Sequence, residues 1–235
     1  MKKKLLASLA VGVFSLGMIG SANAALVDLA AGSFTPAASV ITFSEYSLGT
    51  TNPVYNFGTY SVSFDGYFMG GLGTPTVGVP LALDAAAPNT FITSDGANPT
   101  SPVLSGTPRF AGSVAVLFSQ DVAAVGLDGG YFDAIGGTTI AAYDRLGHLI
   151  GSITNSQYGI EFFGLGDSSG NAVIAGIQFY ITGSEPAGYA IDNLTFAFDE
   201  RGYITPNAVP EPSTMILLGI GIAGVAAGSR FRRKN

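Results

Sequence analysis

Between residues 40 and 198 the chain is a succession of short β-branched and aromatic runs, each closed by Gly, Pro, Asn or Asp, with no useful length of helical periodicity. The pattern predicts strands over residues 40–43, 60–64, 89–93, 113–118, 123–127, 138–143, 149–153, 160–164, 173–181 and 190–198. Ten short strands in one unit predict an all-β fold, a two-sheet antiparallel β-sandwich of the jelly-roll kind. One turn is explicit: Asp144-Arg145-Leu146-Gly147 puts Asp first and Gly fourth, as a type I turn prefers, so the runs around it form a hairpin. The final run, GYAIDNLTFAF, places Ile191, Leu194, Phe196 and Phe198 around the polar pair Asp192-Asn193, an unusual place for a charge. Residues 69–108 are rich in Gly, Pro, Ala, Thr and Asn and read as loops, either a binding surface at one end of the sandwich or filler.

Both ends break this pattern. Lys2, Lys3 and Lys4, an apolar stretch over 5–19 and the small-residue triplet Ala22-Asn23-Ala24 make the three parts of a secretory signal, with signal peptidase cutting after Ala24. The other end carries an apolar run of 14 residues, 215–228, followed by Arg230, Arg232, Arg233 and Lys234. As a helix that run covers roughly 21 Å of a hydrocarbon core about 30 Å thick, and snorkelling arginines bring it near the lower limit for a transmembrane span. The basic cluster stays on the cytoplasmic side, which leaves everything before Met215 outside, in agreement with the leader. Three parts follow: a signal peptide over 1–24, a β-sandwich ectodomain over 25–208 and a sorting region over 209–235.

Removing both signals changes the charge. The whole chain carries −6, but seven of its ten basic residues lie in the two ends, so the ectodomain has 15 acidic against 3 basic residues and a net charge of −12. Arg109, Arg145 and Arg201 cannot build a basic patch, which excludes nucleic acid as a partner. The carboxylates suit solubility first and divalent cations such as calcium second. With no cysteine there is no disulfide, thiolate nucleophile or thiolate-held metal. The single histidine, His148, follows the tight turn and reads as a solvated strand-end residue. No G-x-S-x-G or H-E-x-x-H occurs and the GGLGTP stretch lacks the lysine of a phosphate loop, so no enzyme is expected. Carboxylate pairs drawn from Asp128, Asp133, Asp144, Glu161 and Asp167 leave a glycoside hydrolase as the least favoured class.

Val209-Pro210-Glu211-Pro212-Ser213, the glycine-rich apolar run and the terminal basic cluster together resemble the PEP-CTERM sorting signal of Gram-negative bacteria. The resemblance implies that an exosortase, an integral-membrane transpeptidase-like enzyme, recognises Pro210-Glu211-Pro212 and removes the tail. The protein would be exported through the inner membrane, held there transiently, and released to the cell surface or a matrix of exopolysaccharide and biofilm. The stretches ITFSE, YDRLGHLIGS and AIDNLTF resemble, less specifically, the galactose-binding-like jelly rolls of carbohydrate-binding modules. That likeness implies a structural Ca2+ held by Glu45 near the first strand and Asp192 in the last, with Asn193 in support. Such modules stack sugars on aromatic rings, often tryptophan; this chain has none, so Tyr55, Tyr67, Phe68, Tyr131 and Tyr158 are the substitutes. The expected function is structural or adhesive, with a calcium-supported carbohydrate-binding module as the alternative.

Overall fold

A computed structural model describes residues 26–97 and 102–205. The expected leader, the Pro-Glu-Pro motif and the apolar tail lie outside the described residues. The strands are β1 (Leu26–Asp28), β2 (Ser39–Ile41), β3 (Val54–Asn56), β4 (Ser61–Asp65), β5 (Phe91–Thr93), β6 (Val103–Ser105), β7 (Val114–Val122), β8 (Ala124–Phe132), β9 (Thr138–Tyr143), β10 (Leu149–Thr154), β11 (Gly159–Asp167), β12 (Ile174–Ile181) and β13 (Ala190–Ala197). A single 3-10 turn at Ala31–Ser33 precedes β2. Every expected strand is present. β1, β3 and β6 are additional, three residues each and too short to show a period.

All strand pairings are antiparallel, and they form two sheets. One has the order β1-β11-β8-β13-β6-β5, with β2 also paired to β13; the other has the order β10-β9-β12-β7-β4-β3. The fold is therefore a two-sheet antiparallel β-sandwich. Alternate positions of the long strands face the interior: Val114, Val116 and Phe118 of β7, Val125 and Leu127 of β8, and Ile177 and Phe179 of β12 join one buried core. Phe132, Phe163, Phe179 and Tyr189 pack there mostly edge to face, with centroid separations of 4.6 to 6.3 Å.

Both outer faces are covered by loops, and small residues make the room. On the six-stranded sheet Ala115, Ala141 and Ala175 receive Phe68 and Leu81. On the seven-stranded sheet Ala123, Ala124 and Ala197 receive Leu29 and Tyr203. A Cβ on Gly166 would lie 2.6 Å from Leu29 Cδ1, so that strand position accepts only glycine without a shift.

Within the loop-rich stretch 69–108, β5 is the strand expected over 89–93 and β6 is an addition to the loop reading, while the part between Phe68 and Leu83, which pair through an isolated bridge, lies on the six-stranded sheet. Gly73 is fixed by its amide donating to Gln178 Oε1 at 2.9 Å and its carbonyl accepting from the Tyr143 hydroxyl at 3.1 Å. Composition signalled irregular backbone correctly: near Phe68 and Leu81 it is packed cover on the sheet, while Asp95 lies at a cleft.

Candidate functional site

The Asp192-Asn193 pair is a β-bulge. The register between β13 and β8 shifts between Asp192 and Thr195, and Asn193 takes φ 48°, a left-handed conformation that Asn tolerates better than most residues. Asp192 is fully buried, its Oδ1 accepting from the Asn193 amide at 2.7 Å; Asn193 Nδ2 donates to Asp128 Oδ2 at 2.8 Å. Glu45 does not join them. It is exposed, and its Oε1 accepts from the Thr42 amide and hydroxyl at 3.1 and 3.0 Å. Burial, then the nearby Glu45 charge, push the Tyr55 phenol up. Among the described residues no three Asp, Glu, His or Cys side chains converge as a metal-holding group. The structure thus brings Asp192 and Asn193 together with Asp128, and leaves Glu45 as a local turn brace.

The other carboxylates considered for acid–base chemistry have loop-holding partners. Glu161 accepts from the Ser156 and Gln157 amides at 2.8 and 3.0 Å, and Asp167 from the Ser169 and Asn171 amides at 2.9 and 3.0 Å. Asp144 closes the hairpin turn, accepting from the Leu146 and His148 amides and lying 2.8 Å from His148 Nδ1. Its burial alone would raise the carboxyl, but the His148 ring and these amides hold it below the ordinary range. Amide acceptance of this kind fixes the loop around each carboxylate.

A cleft of about 200 Å³ opens where the chain leaves β5 and β8 and enters β13; it is lined by Asp95, Phe110, Gly130, Tyr131, Gly188 and Tyr189. It is half open to solvent, with room for one small ring. Its floor is rigid. Tyr189 is buried, its hydroxyl 2.8 Å from both Gly112 O and Phe179 O, and burial pushes its phenol up. Two glycines permit the close approach of the walls: Gly188 has φ 77° and a Cβ there would stand 2.0 Å from Phe110 O, while Gly130 has φ 136° and would meet Gly159 O at 2.5 Å. Phe110 is anchored by its amide donating to Ser105 Oγ at 2.7 Å, and the Arg109 guanidinium lies 4.5 Å from its ring centroid while donating to Ser94 O.

Tyr131 is the cleft's exposed ring, 51% accessible, its edge 3.6 Å from the space a side chain on Gly159 would take. Next to Gly159 stands Tyr158, 66% exposed. Of the five aromatic residues named as possible sugar platforms, Tyr131 and Tyr158 are thus open and neighbouring, Tyr67 is half-buried, and Tyr55 and Phe68 belong to the interior. Asp95 was not among the residues singled out from the sequence; nothing in SDGANPT distinguishes its carboxylate from a turn residue.

A family model described as the PEP-CTERM protein-sorting motif matches residues 208–234. The chain carries this motif at its C-terminus, which implies processing by an exosortase, export and sorting to the cell surface. No curated protein matches the chain. Among solved structures, it is similar to the K2 cleaved adhesin domain of Lys-gingipain, at 11% identity and TM-score 0.35 over 68% of this chain and 99% of that one. It is also similar to the family 32 CBM from C. perfringens NanJ, solved in complex with galactose, at 12% identity and TM-score 0.29 over 63% of this chain and 98% of that one.

Proposed function

We propose that this is a non-enzymatic cell-surface or matrix protein whose β-sandwich serves a structural or adhesive role in exopolysaccharide or biofilm. The sorting motif carries the reading: it follows on the β-sandwich in the chain, so sorting would deliver that sandwich to the surface. Signal peptidase and the exosortase are its processing partners, and the inner membrane its temporary station. The loop-holding roles of Glu161, Asp167 and Asp144 support the non-enzymatic part of the reading.

The test is cell fractionation and matrix assay of a strain carrying Glu211→Ala in the full chain. The expected outcome is an unprocessed, membrane-retained protein and a matrix defect like that of a deletion. Normal processing, or a normal matrix despite retention, would sink the proposal.

One observation favours a second reading, calcium-supported carbohydrate binding. The cleft combines an exposed ring, Tyr131, with a carboxylate, Asp95, over an apolar floor. A pyranose presents an apolar C–H face and a rim of hydroxyls, which these groups match. Thermal unfolding against a panel of neutral sugars tests it: a midpoint raised by one sugar and lost in Tyr131→Ala supports the cleft as its site. No shift with any sugar leaves the structural role alone.

A further inference from the structure

Asp133, just beyond β8, and Glu185, in the loop between β12 and β13, bring two carboxyl groups together beside the cleft without a compensating cation. Asp133 is open to solvent, whereas Glu185 is 7% exposed. The Asp133 amide donates to Glu185 Oε1 at 3.1 Å, and Asp133 Oδ1 accepts from the Ala187 amide at 3.3 Å. The other oxygen, Glu185 Oε2, is buried with no hydrogen-bond donor among the described residues.

Each basic side chain of the described residues is engaged elsewhere. Arg145 pairs with Asp121, Arg201 with Asp199 and His148 with Asp144, while Arg109 lies on Phe110 and Ser94. A buried carboxylate facing a second one is strongly disfavoured unless a cation or proton joins them. The backbone around the pair is already fixed: the Thr182 and Gly183 amides donate to Gly137 O at 2.8 and 3.0 Å, and a Cβ on Gly137 would meet Ser184 O at 2.3 Å.

We propose that Asp133 and Glu185 form a divalent-cation site that takes Ca2+, with backbone carbonyls and water completing its oxygen shell. Calcium suits the pair because it accepts carboxylates and carbonyls in irregular numbers and geometry, and the exposed Asp133 gives it a path from solvent. The ion would tie the loop that contributes Gly188 and Tyr189 to the end of the strand that contributes Tyr131, bracing both cleft walls. The site does not depend on what the cleft binds, and it differs from the Glu45, Asp192 and Asn193 set implied by family resemblance.

The test is titration of CaCl2 into the full chain, read by calorimetry and by thermal unfolding with and without chelator. Asp133→Asn and Glu185→Gln keep shape and hydrogen bonds to the amides while removing one charge each; Asp192→Asn is the comparison. Expected are one calcium per chain, an affinity at least tenfold weaker in either of the first two variants, and unchanged affinity in Asp192→Asn. Both variants should unfold cooperatively in chelator at a midpoint no lower than that of the parent, since a repulsion has been removed. Three results would overturn the proposal: no calcium binding by the parent, which leaves a shared proton; binding unchanged in Glu185→Gln; or binding lost only in Asp192→Asn. None of them touches the sugar or sorting tests.

Discussion

Asn193 reaches from β13 to Asp128 of β8, its Nδ2 2.8 Å from Asp128 Oδ2, while its backbone holds a left-handed φ of 48°. One residue therefore closes the bulge in two ways, and two substitutions separate them. Asn193→Gly keeps the backbone relaxed and loses only the hydrogen bond, so it should cost about 1–2 kcal/mol. Asn193→Ala adds the left-handed penalty and should cost about 2–3 kcal/mol. Denaturant unfolding of the two variants measures the difference, and equal losses would mean that backbone strain plays no part.

A similar comparison concerns glycine. Gly188 and Gly49 have nearly the same φ, 77° and 86°, but a Cβ on Gly188 would sit 2.0 Å from Phe110 O, whereas Gly49 faces open space. Gly49→Ala should cost about 1–2 kcal/mol, the conformational penalty alone. Gly188→Ala must also move the Phe110 backbone away from the cleft, so its loss should exceed that of Gly49→Ala by more than about 1 kcal/mol. A smaller gap in denaturant midpoints would show the wall to be pliable.

The two tyrosines of the cleft should behave oppositely. Tyr131→Ala removes an exposed ring and should stay within about 0.5 kcal/mol of the parent. Tyr189→Phe leaves two buried carbonyls without the hydroxyl that lies 2.8 Å from each, and should cost about 1–2 kcal/mol. Thermal unfolding checks both; a large loss in Tyr131→Ala would make that ring structural.

Two carboxyls set opposite slopes of stability with pH. Burial raises the Asp65 carboxyl above its unfolded value, so its contribution is full below the unfolded pKa and is lost as pH rises through the folded one. Asp144 is held low despite its burial, so its contribution is present above the unfolded pKa and is lost as pH falls through the folded one. Between those windows Asp65→Asn should flatten the decline on the alkaline side of about pH 4. Asp144→Asn should instead remove stability at neutral pH and leave it unchanged in strong acid. Midpoints measured across the acid range decide, and the reverse slopes would contradict both assignments.

The sandwich was legible because its long strands obey a period of two: Val114, Val116 and Phe118 point inward together, and any reading of that run finds a strand. The bulge was legible only as an anomaly. Ile191 and Leu194 stand three apart in an otherwise alternating run, and the extra residue at Asn193 accounts for the interruption. The cleft was not legible beyond Tyr131. Its walls come from segments far apart in the chain, after β5, before β7, at the end of β8 and before β13, and no local signal joins Asp95 to Gly188. The Asp133–Glu185 pair was hidden for the same reason, 52 residues separating partners that only the β8–β13 pairing brings together.

The end of the sandwich sets a limit on where it can go before processing. Tyr203 bridges to Phe34, and the Ile204 amide donates to Ser33 O at 2.8 Å, so the chain is fastened to the body of the domain as far as residue 204. Ten residues then separate Ile204 from Met215, where the apolar run begins, and fully stretched that length of chain reaches no more than about 40 Å. If the tail anchors the chain as proposed, the sandwich would meet only what comes within that reach, plus its own diameter, of the membrane. Cutting at the Pro-Glu-Pro motif would change nothing in its chemistry; it would change the distance over which that chemistry can act.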